Sequence, residues 1–164
     1  MNKLGTRGLI IIKRGSKGRA YYNQFDSYPT GLGEALHKQL KSFVFVGFKH
    51  PNIKNWLENE YNTSGHNKDM NWDFDLTHPL NKPNHPNIDY LFHEWIYFVE
   101  PRKKQWSCFK SMYNRSEVDK HIKDNVGGFL IPLGTFRFDQ HVNFKRLLKA
   151  GQNWHELIGF YYEK

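Results

Sequence analysis

The chain has one cysteine, Cys108, among its 164 residues. An intramolecular disulfide is therefore excluded, as is a thiolate-rich zinc site, since both need several thiols. No apolar run approaches the ~20 residues of a membrane span, and no apolar signal-peptide core opens the chain. A membrane partner is not expected and an intracellular location is, so the Asn-x-Ser sequons at Asn62 and Asn114 are read as chance. Acidic residues are scarce early on: Asp26 and Glu34 stand against nine Lys and Arg in positions 1–49, whereas the remainder holds fifteen basic and fourteen acidic residues. Nearly all of the net charge of +8 thus lies in the first third. Such a basic field gathers nucleic acid, phosphorylated ligands or acidic proteins, and it also occurs in proteins with no anionic partner.

What is abundant is aromatic. Phe, Tyr and Trp make up 16% of the chain, too many for a disordered protein, and they imply a core built of large rings. The length suits a single domain, 1–164, that buries roughly two-thirds of its unfolded surface. No internal repeat and no linker divides it.

The best organised stretch runs from Gly5 to Leu40. Leu9 to Ile12 is a β-branched apolar run, Gly15-Ser16-Lys17-Gly18 a turn cluster, and Arg19-Ala20-Tyr21-Tyr22 a resumption of strand formers, which together read as a hairpin. Asp26-Ser27-Tyr28-Pro29-Thr30-Gly31-Leu32-Gly33 then ends strand pairing, and a helix is predicted from about Glu34, with Leu36, Leu40, Phe43 and Val44 at helical spacing. Phe45-Val46-Gly47-Phe48 fits either the end of that helix or a short strand. Pro51 suits the first turn of a second helix carrying Ile53, Trp56, Leu57 and Tyr61.

Positions 62–89 are Asn- and Pro-rich and lack periodicity, and read as a long irregular loop. A second hairpin is predicted from Tyr90 to Lys110 around Pro101-Arg102-Lys103-Lys104. Its first arm is apolar on both faces, the mark of a central position in a sheet. Ser116 with Asp119 marks a short helix ended by Gly127-Gly128, and Pro132 limits residues 129–133 to an edge strand. Two helices close the chain, one capped by Asp139 and stopping at Gly151, the other capped by Asn153. The predicted class is α+β: two antiparallel hairpins in one sheet or two facing sheets, with four to five helices packed on them.

The order Gly-Thr-Arg-Gly, apolar strand, Tyr-Asn-Gln-Phe-Asp-Ser-Tyr-Pro-x-Gly-Leu-Gly and amphipathic helix resembles an uncharacterised family of small phage, large-DNA-virus, bacterial and fungal proteins. The match covers Gly5 to Leu40, with a fainter echo at Glu94-Trp95-Ile96-Tyr97. Family members begin Met-Gly-Thr-Arg, whereas Asn2-Lys3-Leu4 precede Gly5 here. The resemblance implies a small viral accessory protein and supplies no catalytic residue.

Candidate chemistry centres on the turn opening the first helix. Amides at Gly31 and Gly33, beside a helix N-terminus and with Arg7 or Arg19 from the hairpin, suit an anion, with Asp26 and Tyr28 facing the same corner. Against this, the two glycines can simply shape a strand-to-helix corner and Asp26 can be a turn residue. The turn lacks the Gly-Lys-Ser/Thr of a phosphate loop. Other constellations fare worse. Asp69 to Asp73 has Phe74 where a calcium loop needs Gly, and His78, His85 and His93 have no zinc-module spacing, so no metal or cofactor is expected. Thr6 is a terminal nucleophile only after cleavage behind Gly5, and Cys108 fits a small core residue better than a nucleophile. Both hairpins, one with Lys13, Arg14, Lys17, Arg19, Tyr21 and Tyr22 and the other with Arg102, Lys103, Lys104 and Trp106, carry the ingredients of single-strand binding. The expected function is binding of an anionic partner, nucleic acid or a phosphorylated small molecule, through the N-terminal hairpin and helix. The alternatives are a hydrolase or transferase at the Asp26–Gly33 corner and a structural or interaction module.

Overall fold

The computed structural model describes residues 6–23, 25–61, 72–75, 94–111 and 130–153. Six strands form one sheet: β1 (Gly8–Arg14), β2 (Lys17–Asn23), β3 (Trp72–Asp75), β4 (Trp95–Glu100), β5 (Gln105–Ser111) and β6 (Leu130–Arg137), in the spatial order β3-β2-β1-β4-β5-β6. The α+β class holds. The expected pair of antiparallel hairpins gives way to a mixed sheet, because β1 and β4 lie side by side in parallel, Gly8 opposite Trp95 and Ile12 opposite Val99. Every other neighbouring pair is antiparallel.

The parallel pair occupies the centre because its sequences demand it. Leu9, Ile10, Ile11 and Ile12 are apolar on both sides of the pleat and all four are fully buried, each contributing about 1.5–3 kcal/mol of gross burial energy. The turn between β1 and β2 is a two-residue loop with Gly15 at φ 67°, the position where such hairpin turns need a positive φ. β6 is the edge strand that Pro132 requires, and the register slips between Cys108 and Phe109 opposite that proline.

Among the described residues there are three α-helices, α1 (Glu34–Lys41), α2 (His50–Asn55) and α3 (Phe144–Gln152), against the four to five expected. The helices expected from Ser116 and Asn153 lie outside the described residues. In α1, Glu34 in the first turn and Lys38 and Lys41 in the last complement the helix dipole. Residues 42–46 are turns and bends, neither the strand nor the helix end expected there. Pro51 stands at the start of α2, which continues as a π-helical turn, Trp56–Tyr61. The expected irregular loop is interrupted by β3, which pairs with β2; the rest of 62–89 lies outside the described residues.

The start of the last described helix also differs from expectation. Asn143, not Asp139, caps it, accepting a hydrogen bond from the Arg146 amide at 3.1 Å, while Asp139 pairs with Arg137 at 3.1 Å. Gly151 does not stop α3. It lies inside the helix, where a Cβ would run into the Trp95 ring.

One sheet face, with Ile10, Ile12, Tyr21, Tyr97, Val99 and Trp106, packs against Leu36 and Leu40 of α1, Ile53 of α2 and Leu147 of α3. The opposite face holds a second buried cluster of Leu9, Ile11, Ala20, Ile96 and Leu130.

Candidate functional site

Asn23 and residues 26–34, around the corner singled out by the sequence, form a closed hydrogen-bonded structure. The Asn23 amide donates to the Ser27 hydroxyl at 2.7 Å, the Ser27 amide to the Thr6 carbonyl at 3.2 Å, and the Tyr97 hydroxyl to the Ser27 carbonyl at 2.6 Å. Asp26 takes a left-handed φ of 52° and its carboxylate accepts the Tyr28 hydroxyl at 3.1 Å, which pushes the phenol's pKa up. The amides of interest are occupied. Gly31 donates to the Tyr28 carbonyl at 2.9 Å, Leu32 to the Asp26 carbonyl at 2.9 Å, and Gly33 to the Tyr28 carbonyl at 3.5 Å.

These contacts correct the expected amide cradle: the glycines are there for close approach. A Cβ on Gly31 would collide with the Asp26 carbonyl, and one on Gly33 would stand 3.1 Å from the Tyr97 ring. Arg7 sits at this end of the sheet, its carbonyl accepting the Glu94 amide at 2.9 Å. Arg19 does not. It lies opposite Ile12, towards the far end of β2, with its guanidinium 5.6 Å from the centre of the Tyr21 ring.

The far end of the sheet carries the larger opening, a cleft of about 800 Å³. Because β1 and β4 run parallel, both finish there, and the turns that follow them become neighbours. Lys13 and Arg14 come from the end of β1, next to the first turn, and Arg102, Lys103 and Lys104 from the second turn. Gly47, Phe48 and His50 form the third wall, and Glu100 is the acidic residue among the lining groups. Five cations thus face one carboxylate, and that carboxylate is engaged by Lys103 Nζ at 3.5 Å and by the Gln105 side-chain amide at 2.9 Å. Among the described residues Lys13, Arg14 and Arg102 form no ion pair.

The second turn is held rigidly. Lys104 adopts φ 50°, an expensive conformation for a residue with a Cβ. Its backbone carbonyl accepts the Phe138 amide at 2.9 Å and its ammonium donates to the Val44 carbonyl at 2.8 Å. That last bond ties the loop between α1 and α2 to the turn after β4. The Tyr21 hydroxyl lies 2.8 Å from Nε2 of His50, one of the residues lining the cleft. Burial pushes the Tyr21 pKa up to about 12, despite the opposing pull of Arg19, so the phenol is neutral and orients the imidazole.

A smaller groove of about 390 Å³ runs beside the corner, between Thr30, Gly31, Lys38, Lys41 and Phe144. His37 borders it and is fully committed to structure: Trp106 Nε1 donates to its Nδ1 at 2.9 Å, and its Nε2 donates to the Gln140 carbonyl at 2.8 Å. Cys108 is wholly buried, which pushes its thiol pKa up and suits a core residue. No group of three or more His, Cys, Asp and Glu among the described residues is placed to hold a metal ion. No helix among them is long and apolar enough to cross a membrane.

The sequence named both basic turns but centred its candidate site on the corner at the opposite end of the sheet, and it did not single out His50. One signal pointed to the convergence: two strands apolar on both faces, Leu9 to Ile12 and Trp95 to Val99, are both candidates for the sheet centre, where they become neighbours. No family model matches the chain, and neither does any curated protein or solved structure.

Proposed function

We propose that this chain binds an anionic partner, nucleic acid or a phosphorylated ligand, in the cleft between the turns after β1 and β4. The observation that carries the reading is the convergence of Lys13, Arg14, Arg102, Lys103 and Lys104 on one cleft with Glu100 as the acidic residue. Phosphate oxygens accept charge-assisted hydrogen bonds from such groups, and cations that hold no ion pair can turn to a ligand without breaking one. The resemblance at Gly5 to Leu40 supports a viral accessory role for it. Titration with inorganic polyphosphate and with an oligonucleotide tests the reading. Arg14→Gln with Arg102→Gln should weaken both by tenfold or more, while Lys145→Gln on the exposed side of α3 should leave them unchanged. Equal losses from both changes would reduce the cleft to a share of general surface charge.

A second reading, a hydrolase or transferase acting on a phosphorylated substrate, moves from the corner to this cleft because His50 stands there with its ring oriented by Tyr21. Histidine is the side chain suited to proton transfer near neutrality. His50→Ala should then abolish turnover of a phosphate ester and spare binding; a parent protein that binds but turns over no phosphate ester or diester would leave only the binding reading.

A further inference from the structure

The loop between α1 and α2 presents an aromatic ring to solvent beside the cationic cleft. Phe45 is 95% exposed and Val46 is 49% exposed, although both flanks of the loop are anchored. Before the exposed pair, Phe43 is buried and Lys104 Nζ holds the Val44 carbonyl at 2.8 Å; after it, Phe48 packs at a tilt against Phe43, ring centres 4.9 Å apart. The ring therefore projects outward from the tip of an anchored loop. Burying a Phe normally stabilises a fold, so the outward placement forgoes a stabilising contact in the isolated chain. Phe48, three residues on, lines the cleft itself.

We propose that the partner of the cleft is single-stranded nucleic acid, whose phosphates follow Lys13, Arg14, Arg102 and Lys103 while an unpaired base stacks on Phe45. The inference rests on the cleft reading above and adds the aromatic ring to it. Cations that track a backbone and an aromatic face that takes a base are the two parts of sequence-tolerant single-strand binding. A duplex keeps its bases stacked inside and offers the ring nothing. A small phosphorylated ligand does not need cations from two separate turns together with a ring outside the cleft. An anionic bilayer is flat, and it reaches a projecting Phe45 but not Lys13 and Arg14 on the walls of a concave opening. Among the described residues the exposed large apolar side chains are Phe25, Phe45 and Val46, and Phe25 belongs to the corner at the other end of the sheet, so Phe45 and Val46 are the two that stand near the cleft.

The test uses the full chain with poly(dT), a duplex of equal length, inorganic polyphosphate, and vesicles of phosphatidylserine and phosphatidylcholine. Phe45→Ala touches no core side chain and should fold like the parent. It should weaken poly(dT) binding by about fivefold or more, the effect of removing one base stack, and leave polyphosphate binding unchanged. Phe45→Trp should retain poly(dT) binding and show quenching of the new indole by the bound bases, whereas Phe45→Leu, apolar but not aromatic, should behave like the alanine variant. If Phe45→Ala binds poly(dT) like the parent while Arg14→Gln with Arg102→Gln does not, the cleft stands and the nucleic-acid assignment falls. If the parent binds vesicles, releases them on Phe45→Ala, and prefers them to poly(dT), the loop is a lipid anchor and the proposal is overturned. Tighter binding of duplex than of poly(dT) also overturns it.

Discussion

At His37 two hydrogen bonds fix one tautomer. The Gln140 carbonyl can only accept, so Nε2 carries the hydrogen, and the Trp106 indole can only donate, so Nδ1 is bare. Protonation would set an N–H against the Trp106 N–H. Burial is the main reason the His37 pKa is lowered, outweighing the Gln140 bond that raises it. The unfolded chain therefore binds this proton more readily than the folded one, and stability falls as pH drops from the ordinary histidine value of 6.5 through the lower folded value. Melting temperatures from pH 8 to 5 should show that loss, and it should be smaller in Trp106→Phe, which removes the opposing N–H; an unchanged slope would mean that other groups cause it. Gly33 makes a second residue-scale case. A valine there meets the Tyr97 ring, which cannot swing away while its hydroxyl holds the Ser27 carbonyl. Gly33→Val should cost about 1–3 kcal/mol in denaturant unfolding and leave polyphosphate affinity intact; a loss of affinity without a loss of stability would return the anion site to the corner.

Among the elements, α3 depends on its cap. Asn143→Ala removes the acceptor of the Arg146 amide and should destabilise by about 1 kcal/mol, whereas Asp139→Ala should cost less because its partner, Arg137, is an exposed side chain. Thermal melts on the two variants decide between the observed cap and the one the sequence suggested. The elements also show where the sequence was readable. The hairpin of β1 and β2 was legible because Leu9 to Ile12 and Gly15 state it locally, and Pro51 and Pro132 marked a helix start and an edge strand through steric rules that need no tertiary context. Asp139 and Asn143 are both good caps by residue type, so the sequence does not choose between them; in the fold Asn143 is the one that accepts the Arg146 amide. The corner motif was legible as a shape but misleading as chemistry, since nothing local shows that the Gly31 and Leu32 amides are consumed by the Tyr28 and Asp26 carbonyls. The parallel pairing of β1 with β4 joins residues more than eighty positions apart; the apolar pattern on both faces marks each strand as central but does not say which strand lies beside it or in which direction it runs.

For the molecule as a whole, that pairing gathers cations from distant parts of the sequence around one cleft. Lys13 and Arg14 belong to the basic first third of the chain, Arg102 to Lys104 to the nearly balanced remainder, and the sheet places them around one cleft. A charge excess alone predicts salt-sensitive binding that any lysine or arginine could support. A cleft predicts that particular cations carry the salt dependence. The direct measurement is the slope of log affinity against log salt for poly(dT), determined for the parent, for Arg14→Gln with Arg102→Gln, and for Lys145→Gln with Lys149→Gln on α3. Each phosphate of a single strand that the protein no longer neutralises reduces the slope by about 0.7. The cleft pair should therefore flatten it by about 1.4 and the α3 pair should leave it as in the parent; equal flattening by both pairs, or none by the cleft pair, would contradict a binding site between the turns after β1 and β4.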